Sequence, residues 1–247
     1  MPTIIDSSQF GKNLNSFAHK GRVKCGRICY FTTAHQLYKL TEVILIDSQD
    51  EIDLCVSIEI VKDDSGNEDC FSSIIDELEE LDQTESEIVS FLLPKINQAN
   101  NTTIGRIALK KNSIATYSGK YEDAMQVVAV KVKREYQQRG IVTSSYLCLL
   151  NWYDHLMSDD YQTVGGARIW ANSLSVIVDV QVYDVANECY YGVLHPGGVS
   201  HTGFVPWNSG NASNLHGWHP NALRENPKKF IVLVISNEYT VEIGYPV

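Results

Sequence analysis

The sequence of 247 residues contains no long hydrophobic run. Its longer apolar stretches, such as Ile231–Ile235, have the length of a strand, whereas a membrane-spanning helix needs about 20 apolar residues. The N-terminus also lacks the basic region and apolar stretch of a secretory signal. We therefore expect a cytoplasmic protein without a membrane partner.

Positive charge is scarce as well. The chain has 20 lysine and arginine residues against 30 aspartate and glutamate residues, which gives a net charge of −10. Proteins that bind nucleic acid through its phosphates normally present a basic face, so this balance argues against direct nucleic-acid binding. It is compatible with a basic protein partner. The length suits one large domain or two small ones, and the hydrophobic fraction of 44% is ordinary for a buried core.

The six cysteines do not form the framework of a small exported protein. Without export they are expected to be free thiols, and Cys55 and Cys148 lie in apolar patterns typical of a core. Cys25 and Cys29 have a spacing that could share a metal ion. Structural zinc usually takes four clustered ligands, however, and no second close pair accompanies them, so we predict no metal.

Patterning predicts a mixture of strands and helices. Strands are expected at 40–46, 52–61, 104–117, 125–133, 155–158, 175–185 and 230–236, where β-branched residues alternate or form short apolar runs. Helices are expected at 141–153 and 165–174. The segment 192–229 is expected to be one long loop, because it is rich in glycine, proline and histidine. Its four histidines could bind a metal or serve the loop in other ways, and its aromatic residues, Phe204, Trp207 and Trp218, are expected to cover a core or an interface.

Residues 68–99 have apolar side chains at steps of three and four, the period of an amphipathic helix. Pro94 should end or kink the second half of this helical region. Its other face is acidic and is either a solvated helix surface or a docking surface for a partner. The residues of this face are Glu77, Glu79, Glu80, Asp82, Glu85 and Glu87.

The strongest chemical signal follows the apolar strand at 125–133, where Gln137-Gln138-Arg139-Gly140 leads into a helix. A short turn between a strand and a helix leaves several backbone N–H groups unpaired and pointing one way, and such a nest binds phosphate with the help of the helix dipole. Gly140 allows close approach of a ligand because it has no Cβ. Arg139 would add a charge-assisted contact to a phosphate.

This stretch resembles motif A of the GNAT N-acetyltransferases, which reads glutamine or arginine, two residues, glycine, one residue, then glycine or alanine. The resemblance implies that acetyl-CoA is the cofactor, that the turn holds its pyrophosphate, and that Val130 and Val132 offer backbone groups to the pantetheine arm. Val142 departs from the pattern, because the family has glycine or alanine there. The residues implied in pyrophosphate binding are Gln137, Gln138, Arg139, Gly140, Ile141, Val142 and Thr143.

A second stretch, His155–Trp170, resembles the later half of GNAT-like proteins that are often found in phages, in which a short strand ends in Ser-Asp and a Gly-Gly-x-x-x-Trp helix follows. Together the two motifs imply a mixed, mostly antiparallel α/β sheet of the GNAT type, flanked by helices. They place the acyl-CoA-binding core at 103–185. Residues 1–102 would then be an N-terminal part of the same domain, and 186–247 a C-terminal extension.

Acyl transfer from a thioester to an amine needs a base, an oxyanion site and an acid for the leaving thiolate. Glu122 and Asp123, at the start of the motif A strand, are the acidic candidates for the base. An alternative interpretation is that both are solvated residues of a turn after Tyr121. The family commonly uses a tyrosine on the late helix as acid, and Trp170 stands in that slot, where an indole N–H is too weak an acid. Tyr161 or Ser158 would have to substitute.

Two functions are therefore expected. The first is an acyl-CoA-dependent N-acetyltransferase that acts on an amine of a protein or small molecule. The second is a binding protein that kept the GNAT scaffold with weak or lost activity, and Val142 and Trp170 favour it. If the chain is phage-encoded, its partner would be a host protein in the host cytoplasm.

Overall fold

The computed structural model describes residues 3–5, 14, 22–46, 52–63, 66–96, 100–116, 119–207 and 230–237. In these residues the strands are β1 Thr3–Ile5, β2 Arg22–Thr33, β3 Gln36–Ile46, β4 Leu54–Ile60, β5 Thr102–Ala115, β6 Tyr121–Val132, β7 His155–Met157, β8 Tyr161–Thr163, β9 Gln181–Asp184, β10 Cys189–His195, β11 Val199–Ser200 and β12 Ile231–Ser236. The α-helices are α1 Ser72–Glu80, α2 Glu85–Leu92, α3 Ile141–Leu150 and α4 Val164–Arg168.

Ten of these strands form one large sheet, in the order β11-β10-β9-β12-β7-β6-β5-β4-β3-β2. The sheet is mostly antiparallel, as predicted. β6 and β7 are the exception, because they pair in parallel at Met125↔Leu156 and Gln126↔Met157 and are joined through α3. β1 and β8 pair in parallel as a separate two-stranded sheet.

The chain divides into two compact units. One consists of residues 1–13, 110–129 and 149–247, and the other of residues 14–109 and 130–148. The unit boundaries fall inside β5, β6 and α3, because these long elements continue from one unit into the other. They differ from the division at residues 102 and 185 that the sequence motifs suggest.

In the unit of residues 14–109 and 130–148, the strands β2 to β4 form an antiparallel meander that continues onto β5. Two helices, α1 and α2, bury their apolar faces in a cluster with Leu37 and Val61. Their acidic residues are exposed, as predicted. β2 was not predicted, because Gly26 and two cysteines obscure its alternation, and the strand contains an irregularity between Cys25 and Ile28.

The helical region predicted at 68–99 is two helices rather than one. Asp82 has a φ of +55°, which ends α1, and Thr84 begins α2 with a capping box in which the Glu87 side chain accepts a hydrogen bond from the Thr84 backbone. Pro94 lies in a 3₁₀ turn, Leu93–Lys95, that follows α2. The predicted effect of Pro94 is therefore confirmed, whereas the earlier break at Leu81–Thr84 comes from local capping that apolar periodicity does not report.

In the other unit, all six residues of β12 are buried, and this strand lies between β7 and β9. Its core includes Ile114, Ala124, Met157, Tyr183, Val232 and Val234. The strand predicted at 175–185 is wrong for its first half. Leu174 is buried and begins a 3₁₀ turn, so the chain turns there and only Gln181–Asp184 pairs in the sheet.

The prediction of one continuous loop over 192–229 is also wrong. Residues 192–195 complete β10, and Val199–Ser200 pairs with this strand across the turn at Gly197 and Gly198, whose φ values are +94° and +90°. Gly197 and Gly198 thus form the tight turn of a hairpin between β10 and β11. The rest of the segment, residues 208–229, lies outside the described residues. In the part of the chain that the structure describes, no helix is long and apolar enough to cross a membrane.

Candidate functional site

The candidate site begins where β6 ends. The backbone N–H of Lys133 donates to Ile104 O at 2.8 Å, and the chain then turns through the 3₁₀ segment Arg134–Tyr136. The Gln137 side chain reaches back and donates from Nε2 to Val132 O at 2.9 Å. These bonds fix the turn against the end of the strand, and they occupy one lone pair of the Val132 carbonyl that was expected to face pantetheine.

The turn itself needs left-handed backbone at two positions. Gln138 has a φ of +64° and Gly140 has a φ of +76°. Glycine adopts this conformation without a penalty, whereas a residue with a side chain is strained there. A Cβ on Gly140 would also lie 3.0 Å from Thr33 Oγ1. The need for glycine at position 140 is therefore both conformational and steric.

The turn presents a row of backbone N–H donors. In the part of the chain that the structure describes, the N–H groups of residues 138–143 have no hydrogen-bond acceptor, and the first paired amide is that of Ser144, which donates to Gly140 O at 3.0 Å. Three of these donors belong to the first turn of α3, where an α-helix leaves its N–H groups unpaired. The cluster therefore has the composition of an anion site.

Arg139 contacts three residues around the turn. Its Nη1 donates to Gln36 Oε1 at 3.0 Å, its Cζ lies 5.2 Å from the centre of the Tyr136 ring, and its carbonyl accepts a bond from Thr33 Oγ1 at 2.9 Å. The side chain thus holds the turn against β3, and the backbone carbonyl holds it against β2. The bond to Gln36 uses one of the five N–H donors of the guanidinium.

Tyr136 fixes the turn to the segment that contains Glu68. It is buried, and its hydroxyl lies 2.8 and 2.9 Å from the two Glu68 carboxylate oxygens, while Lys62 Nζ lies 2.9 Å from Glu68 Oε1. Burial, and then the hydrogen bond to Glu68, raises the pKa of Tyr136 to about 12. The hydrogen bond from Lys62 lowers the pKa of the Glu68 carboxyl. The phenol therefore stays neutral and the carboxylate charged at physiological pH.

The surroundings of the turn favour an anion. Lys131, Lys133 and Arg134 are exposed on the residues that lead into it. Gln137, Gln138 and Gly140 are exposed too, whereas Ile141 is buried and anchors the start of α3 in the core. Val142 and Thr143 are half-buried. The seven consecutive residues predicted for pyrophosphate binding, Gln137 to Thr143, thus form a turn that is mostly exposed up to Gly140 and a helix start that is partly buried.

The strand that leads into the turn has one short contact with β7. β7 pairs with β6 at Met125 and Gln126 and ends at Met157, so it does not continue beside Val130 and Val132. Six consecutive residues of β6, from Ala124 to Ala129, are buried. The prediction that this strand lies inside the sheet is confirmed, because β6 lies between β7 and β5.

Glu122, one candidate base, lies at the opposite end of β6 and is part of a hydrogen-bonded chain. Its Oε2 lies 2.7 Å from His155 Nε2, and His155 Nδ1 lies 2.7 Å from Ser236 Oγ. His155 and Ser236 are buried, and Glu122 is about one-third exposed. With Glu122 ionised, the imidazole must donate from Nε2, and Ser236 can then donate to Nδ1. The sequence does not connect His155 and Ser236 with Glu122, because they are 33 and 114 residues away from it.

The other catalytic candidates are placed separately. Asp123 is exposed at the start of β6, and Tyr161 is exposed on β8, where it pairs with Thr3. Ser158 is fully buried, and its Oγ accepts from Leu233 N at 3.0 Å, so it cannot protonate a thiolate in this conformation. Trp170 is buried, as expected for a packing residue.

The aromatic residues of the late segment cover a core rather than a surface. Phe204 and Trp207 are buried, and Trp207 Nε1 donates to Gln162 Oε1 at 3.1 Å. This confirms the prediction for these two residues, and Trp218 lies outside the described residues. Of the four late histidines, His195 and His201 are exposed and the other two, His216 and His219, lie outside the described residues.

No protein-family model matches the chain, and no curated protein or solved structure is significantly similar to it. The GNAT resemblance of the motifs is thus a hypothesis. The feature that points to a function is the geometry of the turn at 137–143.

Proposed function

We propose that this protein binds acetyl-CoA at the turn 137–143 and transfers its acyl group to an amine of a protein or small molecule. The observation that carries the proposal is the row of N–H donors at residues 138–143, which have no acceptor among the described residues and stand at the start of α3. A diphosphate matches these donors in charge and hydrogen bonding. The parallel pairing of β6 with β7, which α3 connects, suits the GNAT relationship.

The residues present fit coenzyme A at this turn. The amides of residues 138–143 would hold the pyrophosphate, Gly140 would allow its close approach, and the exposed Lys131, Lys133 and Arg134 would attract its charge. Val130 would offer backbone groups to the pantetheine arm. When bound, the cofactor supplies an activated acyl thioester, and the base proposed for the acceptor amine is Glu122 or Asp123.

The decisive experiment is calorimetry with acetyl-CoA on the whole chain and on Gly140→Glu. The glutamate adds a Cβ 3.0 Å from Thr33 Oγ1, strains a residue at positive φ and brings a carboxylate to the anion site. We expect acetyl-CoA affinity to fall by more than about 100-fold, a loss of about 3 kcal/mol.

Gly66→Glu is the matched control. Gly66 has a φ of +82°, belongs to the same unit and has open space around its Cβ position. It therefore carries the same charge change and similar backbone strain without touching the turn. Equal acetyl-CoA affinity in Gly140→Glu and the unmodified chain would remove the proposal.

A second candidate function is a binding protein on a GNAT-type scaffold with weak or lost activity. The burial of both Ser158 and Trp170 favours it, because neither can supply a proton to a leaving thiolate. Tyr161 is then the remaining candidate acid. General acid catalysis typically contributes about 10²–10⁴-fold, so its loss leaves a slow enzyme rather than none.

Release of free coenzyme A in the presence of mixed amines separates the two candidates. Acetyl-CoA binding with turnover at ordinary rates supports the transferase, and binding without turnover supports the scaffold. Trp170→Tyr sharpens the result. If position 170 is an acid slot in an otherwise sound site, this variant should acetylate amines faster than the unmodified chain.

A further inference from the structure

Three side chains that can ligate a metal ion meet in the unit of residues 14–109 and 130–148. His35 lies in the two-residue turn between β2 and β3, and Asp76 and Glu79 lie on α1. One ligand atom of each side chain, an imidazole nitrogen or a carboxylate oxygen, lies within 4.8 Å of the other two. All three residues are exposed, so an ion in solvent can reach them.

Regular elements hold these three ligands in place. Ala34 and His35 have φ values of +48° and +57°, and two left-handed residues in succession are what a two-residue hairpin turn of type I′ requires. Asp76 and Glu79 are three residues apart, so they share one face of α1. The opposite, apolar face of this helix is anchored in the core by Ile75. The imidazole and the two carboxylates therefore converge from a tight turn and a packed helix.

The cluster has more negative charge than its own donors can balance. His35 Nδ1 contacts Asp76 Oδ1 and lies 3.6 Å from Glu79 Oε2, which is too far for a hydrogen bond. A neutral imidazole has a single N–H, so it satisfies one of the two carboxylates and not the other. Among the described residues, no lysine or arginine pairs with either carboxylate.

The position of the cluster on α1 also favours a cation. The last turn of this helix has no basic residue, although the C-terminal end of a helix carries a partial negative charge. Glu79 lies in that turn, and the exposed Glu77 and Glu80 add to the negative charge there. A bound cation would balance the two ligating carboxylates and interact favourably with the helix dipole.

We propose that His35, Asp76 and Glu79 form a binding site for a divalent transition-metal ion, with Zn²⁺ as the best match. An imidazole with two carboxylates suits zinc and its neighbours, whereas magnesium and calcium take oxygen ligands. Zinc bonds of about 2.0–2.1 Å place neighbouring ligand atoms of a tetrahedral site about 3.4 Å apart, close to the 3.6 Å between His35 Nδ1 and Glu79 Oε2.

The metal ion takes the place of the proton on His35 Nδ1, and the neutral imidazole keeps its proton on Nε2. Asp76 exchanges its contact with Nδ1 for a bond to the ion. Three protein ligands leave the fourth position of a tetrahedral ion open to water.

The first test is calorimetry with zinc chloride on the whole chain and on His35→Gly. Glycine keeps the left-handed turn and removes the imidazole. Loss of an outer-shell partner of a metal ligand already costs about 10–100-fold in affinity, so loss of a ligand should weaken zinc binding by at least about 10-fold. Ala34→Gly is the matched control, because it makes the same kind of change in the same turn without removing a ligand. Its zinc affinity should equal that of the unmodified chain.

A second pair of variants separates ligation from general attraction to an acidic helix. Glu79→Gln and Glu77→Gln remove the same charge from exposed positions of α1, but only Glu79 belongs to the cluster. We expect Glu79→Gln to weaken zinc binding by at least about 10-fold and Glu77→Gln to change it much less. Equal losses in the two variants would show that zinc is held by charge alone and would overturn the proposal.

The third test excludes zinc bound by thiols. All six cysteines of the chain are free, as predicted, and thiolates also bind zinc. Co²⁺ replaces Zn²⁺ as a spectroscopic probe, because thiolate ligands add an intense sulfur-to-metal charge-transfer band that nitrogen and oxygen ligands lack. We expect a cobalt spectrum without this band, which His35→Gly loses and Ala34→Gly keeps. The proposal fails if the chain binds no zinc, if His35→Gly and Ala34→Gly bind it equally well, or if the cobalt spectrum is that of a thiolate site.

Discussion

The polar groups at the two ends of β6 differ in whether they have hydrogen-bond partners. At the start of the strand, Glu122, His155 and Ser236 satisfy one another through two hydrogen bonds of 2.7 Å. At its end, the N–H groups of residues 138–143 are without acceptors in the described part of the chain. A closed polar network stabilises the native state, and removing one member leaves a buried group unsatisfied. An open row of donors contributes little to stability, but it is available to a ligand without rearrangement.

We expect the largest effect on stability at the start of β6, where the polar groups have hydrogen-bond partners. His155→Ala removes both hydrogen bonds, leaves Ser236 buried without its partner and creates a cavity, so we expect a loss of about 3 kcal/mol in the free energy of unfolding. Urea denaturation followed by circular dichroism measures it. The folded variant should still bind acetyl-CoA, since His155 does not contact the turn residues 137–143 in any hydrogen bond.

His195→Ala is the control for this change, because His195 is exposed on β10. Its effect should lie within about 0.5 kcal/mol, as for other surface substitutions. If the two histidine variants were equally stable, the network at the start of β6 would contribute nothing, and the contrast between the two ends would fail.

A smaller effect is expected from Tyr136→Phe, which removes the hydroxyl that donates to the Glu68 carboxylate. Glu68 keeps Lys62 as a partner, so we expect a loss of about 1–2 kcal/mol at neutral pH. Stability measured against pH adds a second readout. The folded-state pKa of Tyr136, about 12, is above the ordinary tyrosine value of 10.0. Its contribution is therefore complete below pH 10 and is lost as the pH rises towards about 12.

The phenylalanine variant should lose this alkaline transition. The contribution of Glu68 to stability should remain, and it depends on pH in the opposite direction. Because the folded-state pKa of Glu68 is lowered from 4.5, its stabilisation is present above about pH 4.5 and is lost as the pH falls through the lowered value. An unchanged alkaline limb in Tyr136→Phe would show that other groups control it.

The sequence predicts the features of β6 that depend on neighbouring residues, but not the contacts between residues that are far apart in the chain. The strand predicted at 125–133, which the structure gives as Tyr121–Val132, the turn and the start of α3 follow from an apolar run, Gly140 and helix periodicity. Each of these signals lies within a few residues. The partners of the turn come from far along the chain. Glu68 is 68 residues from Tyr136, and Gln36 is 103 residues from Arg139. No periodicity relates residues at such separations, so the orientation of Arg139 and the His155 network could not be predicted.

The capping break between α1 and α2 and the hairpin at Gly197 and Gly198 were missed for a related reason. In both places short-range hydrogen bonds and left-handed backbone override the apolar pattern, and a few residues decide the outcome. The same physics applies at Gln138. Its φ of +64° is unusual for a residue with a side chain, and nothing in the sequence of the turn distinguishes it from Gln137.

The smallest predicted effect tests this strain at the open end. Gln138→Gly relieves a left-handed residue, which costs about 1–2 kcal/mol with a side chain, and adds the larger backbone entropy of glycine in the unfolded chain. The net result should be a stabilisation of less than about 1 kcal/mol, measured by urea denaturation. Gln137→Gly is the matched control. Gln137 has an extended backbone and donates to Val132 O, so its replacement should destabilise the protein by about 1 kcal/mol. Opposite signs at these adjacent, exposed glutamines would show that the turn stores strain at residue 138, whereas equal losses would show that Gln138 adopts its conformation without cost.

Acetyl-CoA calorimetry on the same two variants then shows whether the backbone geometry of the turn affects ligand binding. We expect weaker binding in Gln137→Gly, where the turn loses its bond to β6, and little change in Gln138→Gly, where the N–H donors keep their directions.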